Sequence, residues 1–562
     1  MQMNKKFGLL VVSVSLCVYA GFTTVRANHE APPAPERAQV VSEIQHLLSQ
    51  SPHTNQFDTL RKAYAARDFE PVWVARSGAG ARLDALHRRL AKADTDGLDP
   101  RRYSVPSHNG LLPSAESMAR VELAAALNFV HFAQDLRAAG ADAAKMRPPQ
   151  SKVPGGVDAA TLLENASNAA DIYKYLEELS PQHHVYQGLK ASLHRYRQLR
   201  TAGGWAKIPN GSQLKPGQKH PHIVFVRERL FATGDLLEDE TYSDQYDDHL
   251  LAAVKTFQRR HGLKDDGTIG PKTRAAMSRT VDERIRQILV NMERSRWLPN
   301  DLGSRFVVVN VPGFWLEVFD GARLALEMPV IVGKKYRRTP IFSGNINRME
   351  LNPYWGVPDS IARNDILAKL KEDPSYLEGL RVYMKGTGYP ALELDRYDID
   401  WSTVSSARPF MYYFRQDPGP QNALGQAKFL FDNPFNVYLH DTSNRSLFAK
   451  QQRALSSGCI RLAEPIRMAE YLLSSQPGWN RERIDDVLAG GANTRISLNE
   501  TLNVHLIYQT VWMDKNGRVQ FRPDIYGRDK RIEQFVADTR FKPELDIPRQ
   551  AALVQHLKCI RT

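Results

Sequence analysis

The stretch ALSSGCIRL, residues 454–462, places Cys459 in a turn of small residues. Nineteen residues before that cysteine, the apolar stretch FNVYLH, residues 435–440, ends on His440. The thiolate is the attacking form of cysteine, and a neighbouring imidazole can accept the thiol proton. We therefore predict a β-rich domain that carries a thiol nucleophile and its base.

The residues around this pair suit the same chemistry. Side chains alternate along a strand, so Tyr438 and His440 share one face. Ser457 and Gly458 allow a sharp turn, and backbone amides there are candidate donors to an acyl oxyanion, an effect worth about 3–4 kcal/mol. Pro465 opens a predicted helix just beyond the cysteine, and the N-terminus of that helix adds a mild positive potential.

The C-terminal half of the chain is rich in strand signals. Runs of β-branched and aromatic residues predict strands at residues 306–311, 315–319, 329–333, 409–414, 428–431, 435–440 and 504–512. The sequence DKNG at residues 514–517 is a hairpin signal. We assign this domain to residues 303–530. A charged, helical insertion at about residues 354–406 interrupts it, and an insertion of that size is often a lid.

Helical patterns dominate the rest of the chain. Residues 40–205 have helical periodicity without a chemical motif, and predict a structural scaffold. A compact unit follows at residues 218–280, then a charged linker helix at residues 281–302. Residues 531–562 are predicted as a C-terminal tail. The expected fold class is multidomain α+β, with a helical scaffold, a small helical domain and a mostly-β domain.

The N-terminus predicts export. Lys5 and Lys6 precede an apolar run at residues 7–22, and small residues follow, so residues 1–27 are predicted to be a cleaved signal peptide. An uncleaved membrane anchor is the alternative, although the run is short for a membrane span. Residues 28–39 are rich in Pro and Ala, and predict a flexible leader.

The cysteine count agrees with a reduced nucleophile. The chain has three cysteines, and Cys17 is removed with the predicted signal peptide. Secreted proteins that use disulfides for stability carry even, spaced sets of cysteines. We therefore expect Cys459 and Cys559 to be free thiols.

The charge of the chain limits the class of partner. The formal net charge is +13, and +10 once residues 1–27 are removed, because that segment holds three basic residues and no acid. A basic exported protein suits a polyanionic or acidic partner such as a cell-wall polymer or a membrane surface. The charge is dispersed, which argues against nucleic acid. The paired histidines at 183–184 and at 220 and 222 lack a patterned third ligand, so no metal is predicted.

Two segments of the compact unit carry a resemblance. VKTFQRRHGL at residues 254–263 and DDGTIGPKT at residues 265–273 contain a helix C-cap glycine, a tight turn and a proline that opens the next helix. By these residues alone the unit is a small three-helix domain. The pattern resembles the peptidoglycan-binding domain of cell-wall hydrolases and transferases. That resemblance implies a module that holds glycan or stem peptide, with structural docking as the alternative.

The cysteine motif carries a second resemblance. His440, fifteen further residues, SSGC at residues 456–459 and then Ile460-Arg461 are similar to the signature of the L,D-transpeptidase (YkuD-type) catalytic domain. The domain order resembles a large periplasmic subgroup of that family, with a scaffold domain, a peptidoglycan-binding domain and a capped catalytic domain. Many members carry a histidine where this chain has Ser457.

The resemblance implies a reaction. Cys459 would attack the carbonyl of the diamino acid in a tetrapeptide stem and release D-alanine, leaving a thioester, while His440 takes the thiol proton. The side-chain amine of a second stem would then complete a 3→3 cross-link. The implied supporting residues are Gly458 and Cys459 as oxyanion donors, Arg461 for a substrate carboxylate, and Tyr438 and Trp355 as walls of the donor pocket.

Further expectations follow from the resemblance. As an alternative role, Arg461 forms a structural ion pair. As an alternative role, Trp355 belongs to the core or anchors the lid. We expect acylation by carbapenems, no metal or cofactor, and a periplasmic location without a stable membrane span after signal cleavage. The expected partners are peptidoglycan stem peptides and glycan, with other cell-wall synthesis proteins as candidates, in peptidoglycan biosynthesis and cell shape.

Alternatives to this function stay open. Water as acceptor gives an L,D-carboxypeptidase, and a protein lysine gives attachment of an envelope lipoprotein. A lid that excludes water favours transfer over hydrolysis. A catalytically inert cell-wall-binding scaffold is the non-enzymatic alternative, which an intact Cys459 and His440 pair argues against. A papain-type protease requires the cysteine before the histidine, and the order here is the reverse.

Overall fold

The chain has a helical N-terminal part and a strand-rich C-terminal part, in a computed structural model that describes residues 35–75, 78–106, 114–138, 146, 158–237, 243–386 and 391–540. The predicted multidomain α+β class is confirmed. The predicted signal peptide and the leader up to residue 34 lie outside the described residues, as does Cys559. None of the described helices is long and apolar enough to cross a membrane.

The scaffold region is helical, and its helices enclose one hydrophobic core. Its described helices are α1 (Arg37–Gln50), α2 (Asn55–Ala65), α3 (Ala81–Ala91), α4 (Ala115–Leu136), α5 (Ala159–Asn168), α6 (Ile172–Glu178) and α7 (His184–Thr201). A two-strand hairpin, β1 (Val74–Ala75) with β2 (Gly78–Ala79), lies between α2 and α3. Helix α1 starts at Arg37, so the leader that the sequence predicts up to residue 39 ends earlier.

The compact unit has the predicted three helices: α8 (His222–Ala232), α9 (Asp248–Arg260) and α10 (Pro271–Met277). Gly262 follows α9 with φ +64°, a left-handed conformation that favours glycine at a helix C-terminus. Pro271 occupies the first turn of α10, where its missing N–H is not needed. The unit has a hydrophobic core of its own.

Helix α11 (Val281–Ser295) was predicted as a charged linker, and the structure buries most of it. Its Glu293 is fully buried and accepts hydrogen bonds from Arg296 Nη1 at 2.6 Å and Arg540 Nη2 at 3.2 Å. Arg540 also pairs with Asp135 of α4. Loss of one partner of a buried ion pair costs roughly 3–5 kcal/mol. Helix α11 is therefore a central support between the scaffold and the C-terminal residues.

The β domain contains a nine-stranded sheet in the order β13-β5-β14-β12-β11-β6-β15-β3-β4, and β4 also pairs with β5, so the sheet closes on itself. Its strands are β3 (Arg305–Asn310), β4 (Trp315–Asp320), β5 (Arg323–Gly333), β6 (Phe342–Leu351), β11 (Ala427–Phe431), β12 (Leu439–His440), β13 (Ala454–Ser456), β14 (Ile460–Leu462) and β15 (Thr494–Ile507). Inward side chains from these strands form the core of the domain.

Helices and a hairpin surround this sheet. The predicted helix at Pro465 is present as α14 (Pro465–Leu473), and α15 (Arg481–Ala489) follows it. The DKNG segment connects β16 (Val511–Met513) to β17 (Val519–Phe521), as predicted. Helix α16 (Asp529–Arg540) packs on α11 through Ile532 and Val536. The first ten residues of the predicted tail thus belong to a packed helix.

The insertion was predicted to be helical, and the structure adds a sheet to its helices. Four strands, β7 (Trp355–Gly356), β8 (Leu380–Met384), β9 (Glu393–Leu394) and β10 (Tyr412–Gln416), pair in the order β7-β10-β8-β9. Helices α12 (Asp359–Ile361) and α13 (Leu367–Glu372) flank a π-helical turn at Ala362–Ile366. This unit, which we call the cap, has its own core and extends ten residues beyond the predicted end at residue 406.

Candidate active site

Cys459 lies in the turn between β13 and β14, and its side chain is half-buried. Gly458 has φ +126°, which a side chain would make unfavourable at this position. Ser456 holds the turn closed, because its Oγ donates to the Cys459 carbonyl at 2.6 Å and accepts the Gly458 N–H at 3.1 Å. The thiol is therefore presented by a turn of fixed shape.

The loop after β5 is hydrogen-bonded to this turn. Sequence analysis did not identify this loop. Thr339 is fully buried, and its Oγ1 donates to the Gly458 carbonyl at 2.8 Å and accepts the Gly333 N–H at 2.9 Å. The Lys334 N–H donates to the Ser456 carbonyl at 2.9 Å. Because Thr339 and Lys334 lie more than a hundred residues before the cysteine turn, no local pattern could reveal these contacts.

His440 ends β12, and it is buried beside the strand that follows Cys459. Strands β12 and β14 run parallel, with Leu439 opposite Ile460 and His440 opposite Arg461. The Ile460 N–H donates to the Tyr438 carbonyl at 3.1 Å. This register sets Cys459 opposite Tyr438, and the pairing of Leu439 with Ile460 separates it from the pairing of His440 with Arg461.

The strand that ends at His440 is shorter than predicted. Regular pairing covers Leu439 and His440, and the preceding residues are shaped by Asn433, whose side chain bonds both the N–H and the carbonyl of Val437. The Tyr438 and His440 rings still lie on one side, with centroids 5.6 Å apart in an edge-on arrangement. The predicted alternation is thus kept without a long strand.

The His440 ring is uncharged at neutral pH. Its Nδ1 is buried and has no hydrogen-bond partner among the described residues. Burial, together with the cations of Arg461 and Lys428, lowers the pKa of His440 to about 3. The ring is therefore neutral at neutral pH. The described residues contain no hydrogen bond between this ring and the Cys459 thiol, which contacts the Asn436 carbonyl at 3.9 Å.

The Cys459 thiol is also neutral at rest. Burial raises the pKa of Cys459, while hydrogen bonding to Tyr438 and the charges of Arg461 and Lys428 favour the thiolate and offset part of that effect. A raised thiol pKa and a lowered imidazole pKa together describe a neutral pair. Such a pair needs His440 as a general base at the moment of attack.

Polar side chains line up beside the pair on the outer face of the sheet. In register across five strands stand Arg461, His440, Lys428, Glu350 and Arg495. Lys428 Nζ lies 4.7 Å from the centroid of the Tyr438 ring and 3.9 Å from Glu350 Oε2. Sequence analysis missed Lys428, although its place between the buried residues Ala427 and Phe429 indicates an outward-facing position.

Arg461 is a partly buried cation with no ion-pair partner among the described residues. Its Nε is buried and lacks a hydrogen-bond partner there, and burial lowers its pKa. A desolvated guanidinium gains most from a carboxylate that a ligand brings. This position favours the predicted role in binding a substrate carboxylate over a structural ion pair.

The remaining predicted site residues lie in different places. Ser457 is exposed, and its Oγ accepts a hydrogen bond from Arg337 Nη1 at 2.9 Å. Arg337 also forms an ion pair with Asp365 of the cap, so one side chain connects the cap to the Cys459 turn. Trp355 pairs with Gln416 in the cap sheet and packs on the cap core, which matches the lid-anchor alternative.

Comparison with known proteins identifies this domain. Residues 304–484 match the family described as L,D-transpeptidase catalytic domain. These residues are similar to the L,D-transpeptidase catalytic domain. Residues 58–193 match a family described as a scaffold domain, and residues 220–277 match a family described as "Putative peptidoglycan binding domain". Both resemblances drawn from the sequence are confirmed.

Two curated relatives share part of this chain. A protein of Haemophilus influenzae named "Putative L,D-transpeptidase" is 35% identical over 251 residues, which are 44% of this chain and 48% of that protein. A protein of Bacillus licheniformis named "Probable N-acetylmuramoyl-L-alanine amidase" is 35% identical over 69 residues, 12% of this chain and 20% of its own length. The chain thus spans about half of one relative and a fifth of the other.

A solved structure offers a weaker comparison. The crystal structure of an L,D-transpeptidase from Xylanimonas cellulosilytica is 14% identical, with 53% of this chain and 98% of that chain covered, at a TM-score of 0.16. A score of that size supports no argument about fold or activity. Among the described residues of the chain, no group of three or more His, Cys, Asp or Glu is placed to hold a metal.

The neutral pair predicts how the reactivity of the thiol depends on pH. Alkylation of Cys459 by iodoacetamide should rise with pH beyond the range of an ordinary thiol, because the folded pKa is raised. Lys428→Met removes a cation that stabilises the thiolate, and should slow alkylation at pH 8 by about threefold, equivalent to half a pKa unit. Peptide mapping distinguishes Cys459 from the other cysteines.

The matched control is Lys450→Met, which removes an exposed lysine from the loop before β13 and should leave the rate unchanged. A reactivity plateau below pH 7 in the unsubstituted protein would show a preformed thiolate and contradict the neutral pair. Equal rates for the Lys428 and Lys450 variants would contradict the role given to Lys428.

Proposed function

We propose that this protein is a peptidoglycan L,D-transpeptidase that forms 3→3 cross-links through a thioester on Cys459. The observation that carries the proposal is the parallel pairing of β12 with β14. It brings the cysteine turn beside a buried histidine whose Nδ1 has no partner among the described residues. That unpartnered ring nitrogen, on the strand that pairs with the cysteine segment and in a region similar to this family, supports acyl transfer by a cysteine nucleophile.

The first half of the reaction consumes the donor stem. Cys459 Sγ attacks the carbonyl of the diamino acid while His440 Nδ1 takes the thiol proton. The tetrahedral intermediate collapses, the bond to D-alanine breaks, and the leaving amine takes the proton from the imidazolium. A histidine with pKa of about 3 is a strong acid once protonated, which favours this second transfer. A thioester remains on Cys459.

The second half of the reaction uses an amine of another stem. The amine attacks the thioester carbonyl, and His440 takes its proton. The carbon–sulfur bond then breaks, and the proton returns to the Cys459 thiolate. The new amide joins two diamino acids, which is the 3→3 linkage.

Supporting residues stabilise charge and position the donor. The Gly458 amide already donates to Ser456 Oγ, so we assign the oxyanion to the Cys459 amide, with Gly458 supplying the backbone shape of the turn. Arg461 holds a substrate carboxylate, and Tyr438 forms a wall of the donor pocket beside the thiol. We assign Trp355 to anchoring the cap.

The cap favours an amine over water as acceptor. Arg337 connects Asp365 of the cap to Ser457 in the turn, so closure of the cap is coupled to the nucleophile. Exclusion of water from a closed site suppresses hydrolysis of a reactive acyl intermediate. A carboxypeptidase, a transferase onto lipoprotein lysine and an inert scaffold are the alternatives. We place the protein in the periplasm, with residues 1–27 as its export signal and carbapenems as expected inhibitors.

Product analysis tests this function. Purified protein incubated with disaccharide-tetrapeptide should yield a 3→3 dimer and free D-alanine, as measured by chromatography with mass spectrometry. His440→Gln should lower dimer formation at least a hundredfold, because general base catalysis contributes about 10²–10⁴. The control is His46→Gln, at an exposed position on α1, which should keep full activity.

The products distinguish the alternatives. Tripeptide without dimer would identify a carboxypeptidase, and transfer onto a lysine peptide alone would identify the lipoprotein transferase. Absence of any product from folded protein that binds sacculi would favour the inert scaffold. Unchanged dimer yield in the His440 variant would contradict the mechanism.

The connection between cap and turn has a separate consequence. Asp365→Asn removes the ion pair with Arg337, and should raise the ratio of tripeptide to dimer about two- to fivefold, as expected for an exposed pair worth up to about 1 kcal/mol. Glu372→Gln is the control, since it breaks an exposed pair with Lys369 within the same cap. Equal ratios in the two variants would show that the cap does not control water through Arg337.

A further inference from the structure

A second cleft lies outside the cysteine site. It has a volume of about 790 Å³ and is bordered by the end of α9, by α10, α11 and α16, and by the segment after β17. Gln451 and Gln452 also line it, and they lie just before β13, the strand that leads to the cysteine turn. The volume is within the range of about 300–1,000 Å³ that is typical of small-molecule and peptide sites.

Two guanidinium groups, that of the buried Arg284 and that of the partly buried Arg522, face this cleft without a carboxylate partner among the described residues. Arg284 is 3% exposed, donates to Gln287 Oε1 at 3.1 Å and the Ala276 carbonyl at 2.9 Å, and leaves its Nε unpartnered there. Arg522 donates to backbone carbonyls, at 2.9 Å to Arg260 and at 2.8 Å to its own neighbour in β17. Burial without a counter-charge is unfavourable, and an incoming anion relieves it.

The rim adds more positive charge. Lys272, Arg279 and Lys530 border the cleft, are exposed, and form no ion pair with the described residues. The acids of the cleft are already engaged by the protein. Asp529 pairs with Arg294 at 2.6 Å and Glu533 with Arg286 at 3.0 Å.

The other two acids are engaged as well. Glu283 accepts the Thr280 N–H at 2.7 Å, and Asp524 accepts the Tyr508 hydroxyl at 2.5 Å. The cleft therefore has cations without ion-pair partners among the described residues, while each of its carboxylates already has a partner in the protein. This imbalance selects a ligand that carries carboxylates.

His261 adds to the cleft a hydrogen-bond acceptor without a partner among the described residues. The residue is 4% exposed and stacks on Phe257 with ring centroids 3.7 Å apart. In the neutral ring, Nδ1–H donates to the Phe257 carbonyl at 2.8 Å, so Nε2 is an acceptor, and it has no partner among the described residues. A ligand that satisfies both His261 and Arg284 needs a hydrogen-bond donor and an anionic group. A peptide has both, in its amide N–H groups and its carboxylates.

We propose that this cleft binds a carboxylate-bearing stem peptide of peptidoglycan, at a site separate from Cys459. The proposal rests on the proposed function for the choice of ligand. The match of residues 220–277 to a peptidoglycan-binding family supports that choice, since these residues supply one wall. A stem held here would lie against residues 451–452, which lead directly into the catalytic turn.

Binding measurements test the proposal. The probe is a fluorescently labelled stem tripeptide, which lacks the terminal D-alanine and therefore cannot form the thioester, titrated against the full chain carrying Cys459→Ala. Lys272→Glu with Lys530→Glu should weaken binding at least fivefold. The control is Lys207→Glu with Lys215→Glu, which makes the same charge change at exposed positions outside the cleft, and should bind within twofold of the parent.

Acylation by tetrapeptide and competition with phosphate distinguish failure of the cleft proposal from failure of the proposed function. In chains that keep Cys459, acylation by saturating tetrapeptide is measured on the parent, on Lys272→Glu with Lys530→Glu and on the control, and Lys207→Glu with Lys215→Glu should be acylated within twofold of the parent. Normal acylation with equal binding by both double variants would overturn the cleft while leaving the proposed function intact. Absence of acylation in the parent would instead overturn the proposed function. Displacement of the tripeptide by equimolar phosphate would identify a general anion site and contradict the peptide assignment.

Discussion

The parallel pairing of two very short strands, β12 and β14, is the constraint on which the site depends. It puts the residue before Ile460 beside Tyr438 and His440. Parallel neighbours cannot be joined by a tight hairpin, so the chain must cross over between them. Arg445 holds this crossover, because it donates to Asp441 at 2.9 Å and also to the Ala463 carbonyl. The crossover thereby fixes both ends of the catalytic segment.

Burial determines the protonation states of Cys459 and His440. In a low-dielectric site the uncharged forms of thiol and imidazole are favoured, and nearby cations add to the effect on the imidazole. Arg461 and Lys428 disfavour the imidazolium and favour the thiolate. The site therefore avoids a resting ion pair, and charge develops when a donor carbonyl arrives. A neutral thiol is also less readily oxidised than a thiolate.

Hydrophobic periodicity and turn residues predicted those strands, helices and turns that depend on neighbouring residues in the sequence. The strands near residues 306–311 and 315–319, the helix from Pro465 and the DKNG hairpin all have period or turn signals, and all are present. Strand β6 was not predicted, because its ten residues mix Asn, Arg and Glu with apolar residues. Its strand state comes from pairing with β11 and β15, which lie far away in sequence.

In the site, too, local motifs predicted some residues, and tertiary pairing brings in the others. The motif identified Cys459 and His440, whereas Thr339, Arg337 and Lys428 reach the site only through tertiary pairing. Helix α11 was taken for a linker because its charged residues suggest an exposed helix. Those charges instead form buried pairs such as Glu293 with Arg296. Long-range partners of buried charges have no periodic signature, so such a helix cannot be identified from sequence spacing.

The central claim is that Cys459 carries the acyl group. Intact-protein mass spectrometry after brief incubation with disaccharide-tetrapeptide tests it most directly, with Cys459→Ala measured in parallel. The account predicts one adduct on the unsubstituted protein, with the mass of the donor less D-alanine, and none on the alanine variant. An equal adduct on both proteins, or none on folded protein that turns over the donor, would contradict it.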